Sequence, residues 1–118
     1  MSEEKRNPVV EKSYAFALRI VKLYRYLCDE KHEYVLSKAC LQAGTHIGAH
    51  VKEAQQAGPR AIFHSEMSRA LRKASETEYW LQLLHDGGYL EERMFASIHA
   101  DCVELMKILT PIVKKTDE

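Results

Sequence analysis

At 118 residues the chain is sized for one domain, and its 46% hydrophobic content is enough to bury a core. Seventeen Lys and Arg are matched by seventeen Asp and Glu, which excludes the cationic excess of a dedicated nucleic-acid binder and leaves only local basic patches. No stretch approaches about 18 consecutive apolar residues, so no transmembrane helix is expected. The opening MSEEKRNP has neither the apolar run of a secretory signal nor the composition of a transit peptide, so a cytoplasmic location is expected.

Asn7-Pro8 reads as a helix start, with the Asn side chain able to cap and the proline at the first helical position, where its missing N–H is no loss. A helix is predicted from Pro8 to about Lys31. Its apolar residues include Val9, Phe16, Ile20, Leu23 and Leu27, and Tyr14 extends the arc. Together they cover about half the circumference, against the stripe of roughly 100° that a single core needs. The other side carries Glu11, Lys12, Arg19, Lys22, Arg25 and Tyr26. Such width fits either deep burial within its own bundle or a second packing partner, such as another subunit. Residues 29–34 (DEKHEY) are predicted as a polar connection.

The second helix is predicted from Val35–Ser37 to Gly58, where Gly58-Pro59 breaks it. Leu36, Cys40, Ala43, Ile47, Val51 and Ala54 form one narrow apolar stripe at helical spacing. Gly44 and Gly48 lie on one edge of it, and Ala39, His46 and His50 on the other. Glycine inside a helix costs about 1 kcal/mol against alanine. Two glycines one turn apart therefore predict that another backbone approaches closely there.

A third helix is predicted from Pro59 to His85, with Phe63, Met67, Ala70, Ala74, Thr77, Leu81 and Leu84 inward. Ile62 and Trp80 form a second apolar spot near Glu66 and Lys73. Asp86-Gly87-Gly88 ends this helix. The fourth is predicted from near Leu90, with Met94, Ile98, Cys102, Leu105, Leu109 and Ile112 inward, and Pro111 is expected to kink or end it. Residues 1–7 and 115–118 are expected to fray. Four long helices with short connections predict an all-α, antiparallel up-down-up-down four-helix bundle, a single domain over residues 1–118.

Few constellations could carry chemistry. Cys28, Cys40 and Cys102 are isolated and fall within apolar stripes, the pattern of reduced core thiols. His46 and His50 are one turn apart, with Glu53 three residues on, so these three are the candidate metal ligands of a single helix face. The bland alternative is a hydrogen-bonded polar edge of the core. Four-helix di-iron proteins use paired Glu-x-x-His motifs, and none is present. On the third helix Arg72–Glu76 and Lys73–Glu76 read as a self-neutralising face. Glu78, beside the core stripe, is expected to meet a cation from another helix, with Lys73 as one candidate. The basic residues suited to phosphate are Lys5, Arg6, Lys12, Arg19, Lys22 and Arg25 at one end, and Arg60, Arg69, Arg72 and Lys73 further on. Arg19, Lys22, Arg25, Arg69, Arg72 and Lys73 are the nucleic-acid candidates. No catalytic residue, cofactor or small-molecule substrate is expected; the residues read as an interaction module.

The segments SYAFALRIVKLYRYL (13–27), YVLSKACLQAGTHIGAHVKEAQQA (34–57) and ALRKASETEYWLQLL (70–84) carry a resemblance. The chain is similar to the four-helix-bundle family of 23S rRNA intervening-sequence proteins, whose relatives include the accessory variability determinant of diversity-generating retroelements. That resemblance implies a bundle assembled as a ring-shaped homopentamer, with no enzymatic activity. For the retroelement members it implies RNA and a reverse transcriptase as partners, met through a basic surface. The chain departs from the family pattern at His46 and His50, where Ser and Asn are usual, at Ala39-Cys40, where Gln-Leu is usual, and at Gln42, where a basic residue is usual. The charge lost at Gln42 counts against strong RNA binding. The two histidines add pH-sensitive groups, so an assembly surface containing them is expected to weaken near pH 5–6.

Overall fold

The computed structural model describes residues 7–117. Lys5 and Arg6, named above as basic candidates, lie outside the described residues, as do residues 1–6 and 118 of the ends expected to fray. Four helices account for the fold: α1 Pro8–Lys31, α2 Leu36–Gln56, α3 Arg60–Asp86 and α4 Glu92–Thr116.

Helix α1 starts and ends where the sequence placed it. The Asn7 side chain accepts the Val9 N–H at 3.2 Å, and His32 closes the helix in the left-handed region at φ 54°. Glu33 then does what no side chain at the N-cap position does. Its carboxylate accepts N–H bonds from Val35 at 3.1 Å, Leu36 at 2.9 Å and Ser37 at 2.6 Å. Ser37 Oγ returns a bond to the Glu33 carbonyl at 2.8 Å. The start of α2, whose amides would otherwise point into solvent unpaired, is thus capped from two residues upstream of the N-cap. Sequence analysis read this segment only as a polar connection.

Helix α3 ends at the expected glycines. Gly88 takes φ 90°, and Tyr89 N–H bonds back to the Leu84 carbonyl at 2.9 Å. Of the two outcomes expected at Pro111, a kink or an end, helix α4 does not end there and continues through Thr116. Proline removes one N–H from the ladder, but the turns beyond it are tied to α3. Arg60 Nη2 donates to the Lys115 carbonyl at 2.8 Å, and His64 Nδ1 lies 2.8 Å from Thr116 Oγ1. Lys115 and Thr116, placed in the fraying tail from sequence, are therefore helical and engaged.

The core follows the stripes. Phe16, Ile20 and Leu27 of α1 meet Ile47 and Val51 of α2, Met67, Leu81 and Leu84 of α3, and Leu105 and Leu109 of α4, each under 3% exposed. The close approach predicted at Gly44 and Gly48 is made by α1, through the Ile20 side chain at Gly44 and the Ser13 backbone at Gly48. A Cβ on Gly44 would lie 2.7 Å from Ile20 Cγ1, and one on Gly48 would lie 3.4 Å from the Ser13 carbonyl oxygen. The chain packs α1 on α2, α2 on α3 and α3 on α4, and α1 meets α4 more thinly. The cross-section is accordingly flattened, with extents of 31 by 20 Å across a length of 44 Å.

Candidate functional site

The α2 histidines do not share a ligand position. Their rings stand edge to face with centroids 6.4 Å apart. His50 turns to α3, where Nδ1 lies 2.9 Å from Glu66 Oε1. His46 and Glu53 are exposed. Among the described residues no group of three His, Cys, Asp or Glu side chains is placed to hold a metal ion.

Helix α3 supplies carboxylates to its neighbours. Glu78 meets a cation-capable partner from another helix, as expected, but the partner is His99 of α4 at 2.9 Å and not Lys73. Lys73 lies 3.3 Å from Glu76, which also accepts the Trp80 indole N–H at 3.1 Å. That indole bond, opposed by partial burial and aided by Lys73, holds the Glu76 carboxyl below its usual range. Arg72 makes no ion pair with a described residue. At the α3–α4 turn, His85 stacks on Phe95 at 4.4 Å, and Phe95 stacks on His99 at 4.9 Å. His85 Nε2 also lies 3.0 Å from Glu92.

The six nucleic-acid candidates fall into two groups on α1 and α3, helices whose backbones sit diagonally across the core. Within each group the charge is partly spent. Arg19 pairs with Asp101 at 2.7 Å and bonds Ser97 Oγ at 3.0 Å. Arg69 pairs with Glu66 at 3.2 Å, and Lys73 with Glu76. Lys22, Arg25 and Arg72 make no ion pair with a described residue. Of the other basic residues, Lys12 pairs with Glu104 at 3.1 Å.

Exposed apolar residues mark a different face. Tyr14 is 67% and Leu18 48% exposed on α1. Beside them a groove of about 510 Å³ runs between α1 and α2, over Val10, Ala17, Thr45, Gly48 and Ala49. This is where the wide apolar arc of α1 leaves the core. A second groove, of about 430 Å³, lies on the other flank of α1 against α4 and brings Arg93 beside Lys22. Sequence reading missed Arg93, since nothing local distinguishes it from any other basic residue near a helix start.

Cys40 and Cys102 are buried, and burial pushes both thiols up to about 12. Cys102 Sγ donates to the Ala74 carbonyl at 3.3 Å. Cys28 is half-buried. Among the described residues no helix is long and apolar enough to cross a membrane.

Fold and surface together define an all-helical four-helix domain, in which charged side chains brace the helices and large apolar residues are exposed on α1, at the α1–α2 connection and on α3. The chain belongs to the 23S rRNA-intervening sequence protein family, whose family model matches residues 5–111. It is similar to the crystal structure of a protein with unknown function from the S23 ribosomal protein family of Bacteroides thetaiotaomicron VPI-5482. Identity there is 46% and the TM-score 0.88, over 90% of this chain and 98% of that one. No curated protein matches the chain.

Proposed function

We propose that the chain is a non-enzymatic helical scaffold that associates with copies of itself across the α1–α2 face, in the homopentameric ring that the resemblance implies. The observation that carries this reading is the exposure of Tyr14 and Leu18 beside a groove floored by Gly48, Ala49 and Ala17. A ring joins two unlike patches of each chain; large Tyr14 and Leu18 supply one and the small-sided groove the other, and contiguous exposed apolar patches mark interaction sites. The test is light scattering at a fixed protomer concentration. Five chains of 13.6 kDa give about 68 kDa. Tyr14→Glu with Leu18→Glu is expected to lower the mass while the far-UV helical signal stays. A wild-type mass of one chain at tens of micromolar refutes the reading.

The scaffold's partners under this proposal are RNA and, in a retroelement setting, a reverse transcriptase. Lys22, Arg25 and Arg72 support an RNA contact, because they are exposed and unneutralised and a ring would repeat them. A protein-only scaffold is the alternative, supported by zero net charge and by the pairing of Arg19, Arg69 and Lys73 with acids. Binding to a structured RNA across a salt series separates the two. A linear fall of log K with log salt, with a slope of about −0.9 per phosphate contact on a duplex, supports RNA. No binding near 50 mM salt favours the protein-only scaffold.

A further inference from the structure

We propose that the groove between the C-terminal half of α1 and the N-terminal half of α4 docks an acidic amphipathic helix from a partner protein. It lies on the flank of α1 facing α4, away from the α1–α2 face, so it stands apart from the self-assembly reading. Leu23 and Ile98 form its floor, and the half-buried Tyr26 and Met94 rise from that floor. Lys22 and Arg93 line opposite sides, both exposed and neither in an ion pair with a described residue. Arg25, equally unpaired, follows Lys22 by three residues on α1. At the groove's edge Arg19 is already engaged, by Asp101 and by Ser97 of α4.

Size and charge select the occupant. Arg19 and Tyr26 are seven steps apart on the helix, or ~10 Å of rise, which accommodates two turns of a second helix. Two apolar side chains at i and i+4 would enter the groove of about 430 Å³, the helix-in-groove mode of recognition. Acidic residues on the flanks of that helix would meet Lys22 and Arg93. An apolar floor with a methionine and a tyrosine suits side chains, whereas a phosphate backbone has no use for it. Methionine also adapts to irregular apolar surfaces. At the other end of the same seam Lys12 is already neutralised by Glu104 at 3.1 Å, so of the basic residues lining the seam Lys22 and Arg93, at the groove, are the ones in no ion pair with a described residue.

The test uses the full chain and labelled synthetic helical peptides read by fluorescence anisotropy. One set carries Leu, Met or Phe at i and i+4 with flanking Glu; its counterpart carries Lys in place of Glu. An oligouridylate is the competitor. The acidic set is expected to bind, to weaken with added salt, and to shift the Met94 methyl resonance, while the basic set does not bind. Lys22→Glu and Arg93→Glu are each expected to weaken the acidic peptides about ten-fold, and Arg72→Glu on α3 to leave them unchanged. All three residues are exposed, so unchanged melting curves separate lost binding from lost folding. Failure of every acidic peptide to bind, equal binding of the basic set, or indifference to Arg93→Glu overturns the proposal. Oligouridylate that binds more tightly than the peptides and displaces them from Met94 also overturns it, in favour of a nucleic-acid occupant.

Discussion

Gly44→Ala probes the closest approach in the bundle. The new Cβ would sit 2.7 Å from Ile20 Cγ1, 3.0 Å from Cγ2 and 3.2 Å from Cδ1. Two of those atoms branch directly from the Ile20 Cβ, and a β-branched side chain in a helix has essentially one χ1 rotamer. Ile20 is 1% exposed, so it cannot swing out of the way. Helix propensity favours alanine by about 1 kcal/mol, but overpacking costs about 1–3 kcal/mol. With the shortest contact at a rigid branch point the upper part of that range applies, and the net loss is about 1–2 kcal/mol. Urea unfolding at fixed protomer concentration is the assay, with a lower midpoint and an unchanged slope expected. The thermal midpoint should fall by about 4–8 °C. Ile20→Ala removes the clashing atoms, so the double variant should lose less than the sum of the two single losses. A Gly44→Ala protein as stable as wild type, or strictly additive losses, refutes the reasoning. Gly48→Ala is the control: its Cβ would stand 3.4 Å or more from Ser13, and it should be neutral or stabilising by up to about 1 kcal/mol.

Glu33 provides a pH-dependent contribution. Burial, at 8% exposure, would raise its carboxyl pKa, but the N–H bonds from Leu36, Ser37 and Val35 outweigh it and hold the group below the usual glutamate range. A carboxylate depressed in the folded state stabilises above its unfolded pKa, near 4.3, and loses that contribution as pH falls through the lower folded value. Glu33→Gln should therefore be less stable than wild type at pH 7, by about 1–2 kcal/mol as for a lost cap, and the gap in urea midpoint should close below about pH 4. Thiol labelling at pH 8 should modify Cys28 first and leave Cys40 and Cys102 unreacted until unfolding; rapid labelling of all three in native protein would contradict the burial. Native mass spectrometry from pH 8 to pH 5 tests whether assembly weakens with histidine charging. His50 is engaged by Glu66 within the chain, so His46 is the residue left to act outward, and an unchanged mass across that range removes it from the interface.

The helices were legible because their apolar residues recur at helical spacing and because proline and glycine punctuate the chain at its turns. Gly44 and Gly48 announced a close approach that the packing against Ile20 and Ser13 then displayed. Pairings between helices were not legible. Glu78 could be assigned a cation but not His99, since register between α3 and α4 is set by packing along the whole interface. Glu33 was missed because it caps from outside the usual position, inside a segment whose polarity alone suggested a connector. That α4 would continue past Pro111 was not legible because the ties from Arg60 and His64 are tertiary. The basic candidates were named one by one from composition, yet their neutralisation by Asp101, Glu66 and Glu76 depends on neighbours one turn away or on another helix.

Histidine–acid pairs join α3 to α2 and α4: His50 to Glu66, His99 to Glu78 and His85 to Glu92. None of them involves α1. That helix is held by apolar packing on α2 and by two half-exposed charged struts to α4, Lys12–Glu104 and Arg19–Asp101, of a kind worth little in water. The ionic braces are thus uneven: three helices are joined by histidine–acid pairs, while α1 relies on the burial of Phe16, Ile20, Leu23 and Leu27. Detachment of α1 would break none of those pairs and would part the α1–α4 groove from its own floor. Amide exchange should register this as earlier loss of protection along α1 than along α3. In the proposed assembly, a ring that clamps α1 would raise that protection selectively, so that joining it would add to the hold on that helix.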